Sequence, residues 1–157
     1  MAQTVEIQLF PSYIATIKNS IGSNMFRNLY AKVDGVETDI LRDGDRSCAL
    51  FVSAILHQFK LLQEPHSTVA GLVRDMERSG WEKIKSPKEG AVLVWVEEEQ
   101  ASGERHPHAG FSVGGEEAIS NSWQQKQPVV HHETYGEENG EPVRKIETIY
   151  WHPKLNG

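Results

Sequence analysis

The chain has 157 residues, which is the length of one ordinary domain and enough to bury a core without a disulfide or a structural metal. Its 22 acidic and 16 basic residues give a formal net charge of −6, which argues against broad binding to nucleic acid or to an anionic membrane. A single cysteine excludes an internal disulfide, and with it a disulfide-stapled secreted scaffold.

The N-terminal segment, MAQTVEIQLF, has neither a basic start nor an apolar stretch typical of a signal peptide. No apolar run approaches the ~20 residues of a membrane-spanning helix. We therefore expect a cytoplasmic protein without a membrane or nucleic-acid partner, with secretion by a route independent of a signal peptide as the alternative. The sequence does not indicate the oligomeric state.

The first half of the chain carries mainly helical patterns. Apolar residues at helical spacing predict a first helix over residues 12–20. The pair Asp34-Gly35, inside an alternating segment, predicts a β-hairpin with a type I′ turn. From Cys48 onward, CALFVSAILHQFKLL is apolar on nearly all sides, which is typical of a buried helix. A third helix is predicted in STVAGLVRDMERS, with Ser67 or Thr68 as its cap.

The second half of the chain carries strand patterns. Four strands are predicted, in the segments AVLVWV, HAGFSV, EAISNSW and PVRKIETIYW, and the middle two are joined by a tight turn at Gly114-Gly115. The segment before the last strand, rich in His, Glu and Gly, is expected to be a loop. Helices first and antiparallel strands after is the order of an α+β domain.

Cys48 is a candidate nucleophile because of its place in the chain. Asp45 or Ser47 can cap the first turn of the second helix, which places Cys48 at the helix N-terminus. There the helix dipole and the unpaired backbone N–H groups lower the pKa of a thiol, and the same groups can hold an oxyanion. The alternative is a buried structural cysteine, which is the commoner environment for this residue type.

His108 is the candidate base. It opens the predicted strand HAGFSV beside a long polar loop, where a histidine can face a cleft while its neighbours alternate into the core. A catalytic imidazole needs a hydrogen-bond partner that fixes its tautomer. The tight turn after this strand returns residues 120–122 alongside His108, so Asn121 lies within reach. The alternative is a partly exposed surface histidine.

Four segments resemble, in order, the motifs of the NlpC-type cysteine peptidases, a group related to the CHAP amidases. The helix start CALFV resembles their C-S-G-F-V, and PKEGAVLVW resembles P-G-D-L-V-F-W. The strand HAGFSVG resembles H-V-G-I-Y-V-G, and AISNS stands where the family has F-I-H-A-S. The resemblance is strongest over residues 44–122. We expect residues 1–157 to form a single domain of this type. It implies a papain-like α+β fold, with the nucleophile helix packed on an antiparallel sheet.

The resemblance leaves two residues as the third member of a triad. By count, the family's third residue falls on Ser120, whereas Asn121 faces the other way in a regular strand. Asn-Ser-Trp at 121–123 resembles the papain motif in which a tryptophan shields the His–Asn hydrogen bond, so we favour Asn121, brought round by a bulge. The candidate residues are therefore Cys48, His108, Asn121 and Ser120 as catalytic groups, with Ser47 and Trp123 as substrate contacts.

The function implied by the resemblance is acyl transfer to Cys48, with His108 taking the thiol proton and delivering it to the leaving amine. We expect a cysteine-dependent amide hydrolase that uses no cofactor. Peptidoglycan stem peptides are the main substrates of the family, and other relatives act on glutathione-like amides, polyamine amides or lipids. The expected partner is therefore a peptide or amide substrate, with a peptidoglycan stem peptide as the leading example.

Two alternatives from other classes stay open. The family's aspartate before the cysteine is Ser47 here, and Ala49-Leu50 replaces Ser-Gly, which favours a non-catalytic binding module on the same fold. His106-Pro107-His108 and the pair His131-His132, with Glu133 beside them, could form a zinc site with Cys48 or a carboxylate. No H-x-x-x-H or paired C-x-x-C spacing supports one. Otherwise the pair is expected in a loop or at the rim of the cleft.

Overall fold

The computed structural model describes residues 2–100 and 102–157 and confirms the α+β class. The helical half contains α1 (Leu9–Asn19), β1 (Tyr30–Val33), β2 (Val36–Asp39), α2 (Cys48–Gln58) and α3 (Val69–Arg78). The strand half contains β3 (Glu82–Ile84), β4 (Val92–Glu99), β5 (Arg105–Gly114), β6 (Glu117–Ser122), β7 (Gln127–His132), β8 (Glu137–Glu138), β9 (Glu141–Pro142), β10 (Ile146–Trp151) and a 3-10 helix (Pro153–Asn156). No helix of the described residues has the length and apolar character needed to cross a bilayer.

Six strands form one antiparallel sheet in the order β3-β10-β4-β5-β6-β7. The last strand, β10, is inserted between β3 and β4, whereas β4 to β7 follow one another as neighbours along the chain. The pairs β1–β2 and β8–β9 form separate two-stranded hairpins. The meander from β4 to β7 is the part of the sheet that carries the candidate site.

A cluster of aromatic rings joins the helices to the sheet. Phe51 of α2 is fully buried and packs edge-on against Phe26 and against Phe111 of β5. Tyr13 of α1 packs edge-on against the same Phe111 ring, and its hydroxyl donates a hydrogen bond of 2.8 Å to the Gly90 carbonyl oxygen. The N-terminal helices and the later strands therefore share one core, and α2 is held against β5 and β6.

Most local predictions are confirmed. The hairpin turns at Asp34 and Gly35, both with positive φ, as a type I′ turn requires. Thr68 caps α3 by accepting a hydrogen bond from the Gly71 N–H at 3.0 Å. Helix α2 begins at Cys48 as expected but ends at Gln58, before the apolar run is complete.

The strand β7 was missed by the sequence patterns. Its residues, QPVVHH, were expected in a loop, yet they pair with β6 along its whole length. A proline and two terminal histidines hide the alternation, and proline is tolerated here because β7 is an edge strand of the sheet. Residues 127–132 are therefore held in a strand by their pairing with β6.

We predict that Tyr13→Phe lowers the free energy of unfolding by about 1–2 kcal/mol, because the buried Gly90 carbonyl loses its side-chain donor. Tyr30 on β1 is 65% exposed and provides the matched control, for which Tyr30→Phe changes stability by less than about 0.5 kcal/mol. Urea denaturation followed by tryptophan fluorescence measures both variants. Equal stability of Tyr13→Phe and wild type would show that this hydrogen bond does not support the core.

Candidate active site

Cys48 lies half-buried at the first position of α2, against β5. The backbone N–H groups of Ala109, the residue after His108, and of Ala49 act electrostatically on its thiol. Burial raises the pKa of the thiol above its ordinary value, while these two N–H groups and the charge of Arg144 act in the opposite direction. The thiol of the resting site is therefore favoured in its protonated form.

His108 meets Ser120, and not Asn121, on its face of the sheet. The Nε2 atom of His108 lies 2.9 Å from the hydroxyl oxygen of Ser120. Gly110 makes this contact possible, because a Cβ atom at that position would lie 2.7 Å from the Ser120 Cβ and 2.8 Å from the Ile119 carbonyl oxygen. The imidazole of His108 therefore contacts β6 beside Gly110, where the absence of a Cβ atom lets the two strands lie close together.

Asn121 points to the opposite face of β6. The register between β6 and β7 is continuous, without a bulge, so Asn121 and Ser120 alternate as in any regular strand. The Asn121 Nδ2 atom donates a hydrogen bond of 2.9 Å to the carbonyl oxygen of Gly44, in the loop before Cys48. The prediction that Asn121 is the hydrogen-bond partner of His108 is therefore wrong, and its contact is with the loop before the candidate nucleophile Cys48.

The two expected substrate contacts differ in accessibility. Ser47 is fully buried at the N-cap position of α2, and its hydroxyl finds no hydrogen-bond partner within the described part of the chain. A substrate cannot reach it in this conformation, so the prediction of a direct contact with Ser47 is wrong. Trp123 lies in the turn between β6 and β7 with 52% of its surface exposed, and its contact with substrate stays a prediction.

Two residues outside the predicted set complete the surroundings of Ser120. Its hydroxyl oxygen lies 2.6 Å from Nε2 of His131 and 3.2 Å from the hydroxyl of Tyr135. The Tyr135 ring stacks on the His131 ring, with centroids 4.1 Å apart. His131 is on β7 rather than in a loop, and recognising that strand would have revealed its place, because it alternates onto the same face as Ser120.

Trp95 forms the floor of this group of rings. It is fully buried, as expected of a core residue, and its ring centroid lies 5.2 Å from that of His108, 5.6 Å from that of His131 and 5.7 Å from that of Tyr135. Its indole N–H donates a hydrogen bond of 2.7 Å to the carbonyl oxygen of Glu133. The tryptophan therefore excludes water from beneath both imidazoles and anchors the segment after β7.

Burial controls the charge state of these rings. It lowers the pKa of His108 to about 3, and the charges of Arg144 and His131 act in the same direction. Burial also lowers the pKa of His131, and it raises the pKa of Tyr135 to about 12. Both imidazoles are consequently neutral near pH 7, and the phenol keeps its proton.

Arg144 contributes a positive charge to the site, and this charge acts on both Cys48 and His108. Its guanidinium group donates hydrogen bonds to the carbonyl oxygens of Val96 and His106, at 3.0 to 3.1 Å, and lies 3.5 Å from a carboxylate oxygen of Glu98. Its charge lowers the pKa of Cys48. Sequence reasoning missed Arg144 because it lies just before β10, far along the chain from both Cys48 and His108.

An open cleft of about 580 Å³ lies between α3 and the strands β4 and β5. Its apolar lining includes Val94, Val96 and Pro107, and charged residues of both signs, such as Arg74 and Glu147, also line it. Pro107 and His108 are consecutive on β5, so the cleft lies on the face of this strand opposite to the His108 side chain. Apolar walls with a few polar groups are typical of a ligand site.

The histidines grouped in the zinc alternative are divided by the fold. His132 contacts Glu116, at 3.9 Å, whereas His131 contacts Ser120, and His106 is paired with Glu104 at 3.0 Å. Within residues 2–100 and 102–157, no group of three or more His, Cys, Asp or Glu side chains is arranged to hold a metal ion. The geometry therefore offers no support for a zinc centre.

A comparison of the sequence with models of known protein families finds no match, and neither does a comparison with curated proteins.

We predict that His108 makes the fold sensitive to mild acid. Its folded-state pKa of about 3 lies below the ordinary value of 6.5, so its contribution to stability is complete above pH 6.5 and is lost as the pH falls from there toward 3. The loss of unfolding free energy between pH 7 and pH 5 should be smaller by about 1–2 kcal/mol in His108→Gln than in wild type. Urea denaturation at the two pH values measures this difference.

The control for this prediction is His57→Gln, which changes an exposed histidine in the last turn of α2. It should retain the full acid sensitivity of the wild-type protein. The same acid-induced loss in His108→Gln as in wild type would contradict a buried, neutral His108.

Proposed function

We propose that the protein is a cysteine-dependent amide hydrolase of the papain-like NlpC/CHAP type, with Cys48 as nucleophile, His108 as general base and Ser120 as the group that orients the base. The observation that carries this proposal is the convergence of α2, β5 and β6. Cys48 begins α2, which packs against β5 and β6, and the backbone N–H of Ala109 on β5 lowers the pKa of its thiol. The adjacent His108 is hydrogen-bonded to Ser120. Nucleophile, base and orienting group are the three parts that such a reaction requires.

The fold class is consistent with this assignment. A helix that begins at the cysteine packs on an antiparallel sheet whose strand β5 carries the histidine, as the family resemblance implies. The third residue of the family motif falls by count on Ser120, which is the residue that meets His108. The papain-like assignment therefore rests on the order of the elements together with this contact.

The reaction begins with proton transfer from the thiol. Because Nε2 of His108 is engaged by Ser120, Nδ1 is the ring nitrogen that is left to accept a proton. Since burial favours the uncharged forms of both Cys48 and His108, the proton moves as the sulfur attacks the amide carbon. The N-terminus of α2 then stabilises the negative oxygen of the tetrahedral intermediate.

The second half of the reaction uses the same imidazole in reverse. The imidazolium of His108 donates its proton to the leaving amine, the C–N bond breaks, and a thioester to Cys48 remains. Water, deprotonated by the neutral imidazole, then attacks the thioester and releases the carboxylic acid and the thiol. Protons balance over the two steps, and no cofactor takes part.

The proposed substrates are peptidoglycan-type stem peptides. The family resemblance points to them, and Arg144 adds a reason from the site itself, because its charge acts on Cys48 and would favour a carboxylate beside the scissile amide. The exposed Trp123 provides an apolar surface at the end of β6.

We predict that Cys48→Ala abolishes amide hydrolysis while the thermal unfolding transition is retained. The assay is the release of amino groups from purified peptidoglycan and from a synthetic stem peptide, with iodoacetamide as inhibitor and a chelator as negative control. Wild-type activity should be lost to iodoacetamide and be unaffected by the chelator. If wild-type protein binds these peptides without cleaving them, and Cys48→Ala binds them equally well, the protein is a binding module and the hydrolase proposal fails.

We predict that Ser120→Ala lowers kcat at least about tenfold, because His108 loses the group that orients it. Ser122→Ala is the matched control, since Ser122 lies on the same strand and its hydroxyl accepts a hydrogen bond from the Gln125 N–H in the following turn. That control should stay within about twofold of wild type. Full activity in Ser120→Ala would assign the orienting role to another residue.

A further inference from the structure

Three groups surround the hydroxyl oxygen of Ser120: Nε2 of His108 at 2.9 Å, Nε2 of His131 at 2.6 Å and the hydroxyl of Tyr135 at 3.2 Å. A serine hydroxyl has one proton to donate and two lone pairs that accept. Each imidazole nitrogen can be a donor or an acceptor, depending on the tautomer. The direction of the bond between Ser120 and His108 is therefore decided by the other partners of this hydroxyl.

We propose that His131 is a positioning residue whose Nε2 accepts a hydrogen bond from the Ser120 hydroxyl and thereby fixes His108 in the tautomer with its proton on Nε2. The catalytic consequence of this arrangement rests on the proposed function, because only a base needs a free Nδ1 atom. The tautomers themselves are a property of the folded protein and do not depend on any activity.

The direction of the chain of hydrogen bonds is set at its far end. The Nδ1 atom of His131 lies 2.7 Å from the backbone carbonyl oxygen of His132, and a carbonyl can only accept. A neutral imidazole carries one N–H, so His131 is protonated on Nδ1 and its Nε2 is an acceptor. Ser120 must then donate to His131, and its oxygen accepts from the Nε2–H of His108.

Tyr135 completes the arrangement from the segment after β7. Because the Ser120 proton is already donated to His131, the Tyr135 hydroxyl acts as donor to the remaining lone pair of the serine oxygen. Its ring lies parallel to the His131 ring within 12°, which holds that imidazole in the plane needed to face Ser120. The serine hydroxyl then makes one donated and two accepted hydrogen bonds, which is its full capacity.

The arrangement matters because the alternative direction disables the base. If Ser120 donated to Nε2 of His108, the imidazole proton would lie on Nδ1, and no lone pair would be available to the thiol of Cys48. Removal of the acceptor at position 131 frees the serine proton for that alternative. A mixed tautomer population at His108 is the expected result.

Nitrogen-15 NMR of the imidazole rings in the wild-type protein near pH 7.5 tests this proposal directly. We expect opposite tautomers: His108 protonated on Nε2, and His131 protonated on Nδ1, the form that free histidine disfavours. A wild-type His131 protonated on Nε2 would overturn the proposal, and this result needs neither a substrate nor a variant.

A set of variants then separates the hydrogen-bond role of His131 from its packing. His131→Phe keeps an aromatic ring against Tyr135 and Trp95 but removes the acceptor, so the tautomers of His108 should become mixed and kcat should fall at least about tenfold with a smaller change in KM. His131→Gln, whose amide oxygen can accept the serine proton, should restore most of the rate. His132→Gln is the matched control, because the neighbouring side chain faces away from Ser120, and it should leave tautomer and rate within about twofold of wild type.

The outcomes distinguish this proposal from the proposed function. Opposite tautomers that become mixed in His131→Phe, without cleavage of any amide by wild-type protein, would support the role of His131 and contradict the hydrolase. Active wild-type protein whose His108 keeps a single Nε2–H tautomer in His131→Phe would contradict the role of His131 and leave the hydrolase intact.

Discussion

Close pairing of β5 with β6 at Gly110 is the constraint from which the geometry of the site follows. A side chain at Gly110 would collide with Ser120 and with the backbone of Ile119, so the glycine allows the close approach of β5 to β6 that accompanies the contact of His108 with Ser120. Trp95 fills the space beneath and keeps water away from the imidazole. Backbone packing at Gly110 therefore helps to set the position of His108, the proposed base.

Strand β6 serves the two halves of the site from its two faces. Ser120 holds His108 on one side, while the next residue, Asn121, binds the Gly44 carbonyl in the loop before Cys48 on the other. Alternation along a strand makes this division unavoidable, since consecutive side chains cannot share a face. One short segment therefore contacts both His108 and the loop before Cys48, and a shift of its register would disturb both contacts.

Burial sets the chemical character of the site. It raises the pKa of Cys48 and lowers that of His108, so an uncharged thiol and imidazole are favoured over an ion pair. A neutral base has to present a lone pair in the right place, which makes its tautomer more important than its charge. For this reason the hydrogen bonds of Ser120, His131 and Tyr135 bear directly on the proposed chemistry.

The sequence by itself determined the local elements: the apolar run that buries α2 with Cys48 at its start, the Asp34-Gly35 turn, and the strand that His108 occupies within an α+β order. These follow from periodicity and turn chemistry, which act between near neighbours. Only the tertiary structure decided that Ser120 rather than Asn121 meets His108. It also decided that β7 is a strand and that its His131 reaches Ser120, because partners across a sheet are chosen by strand pairing between distant residues, which no local pattern encodes.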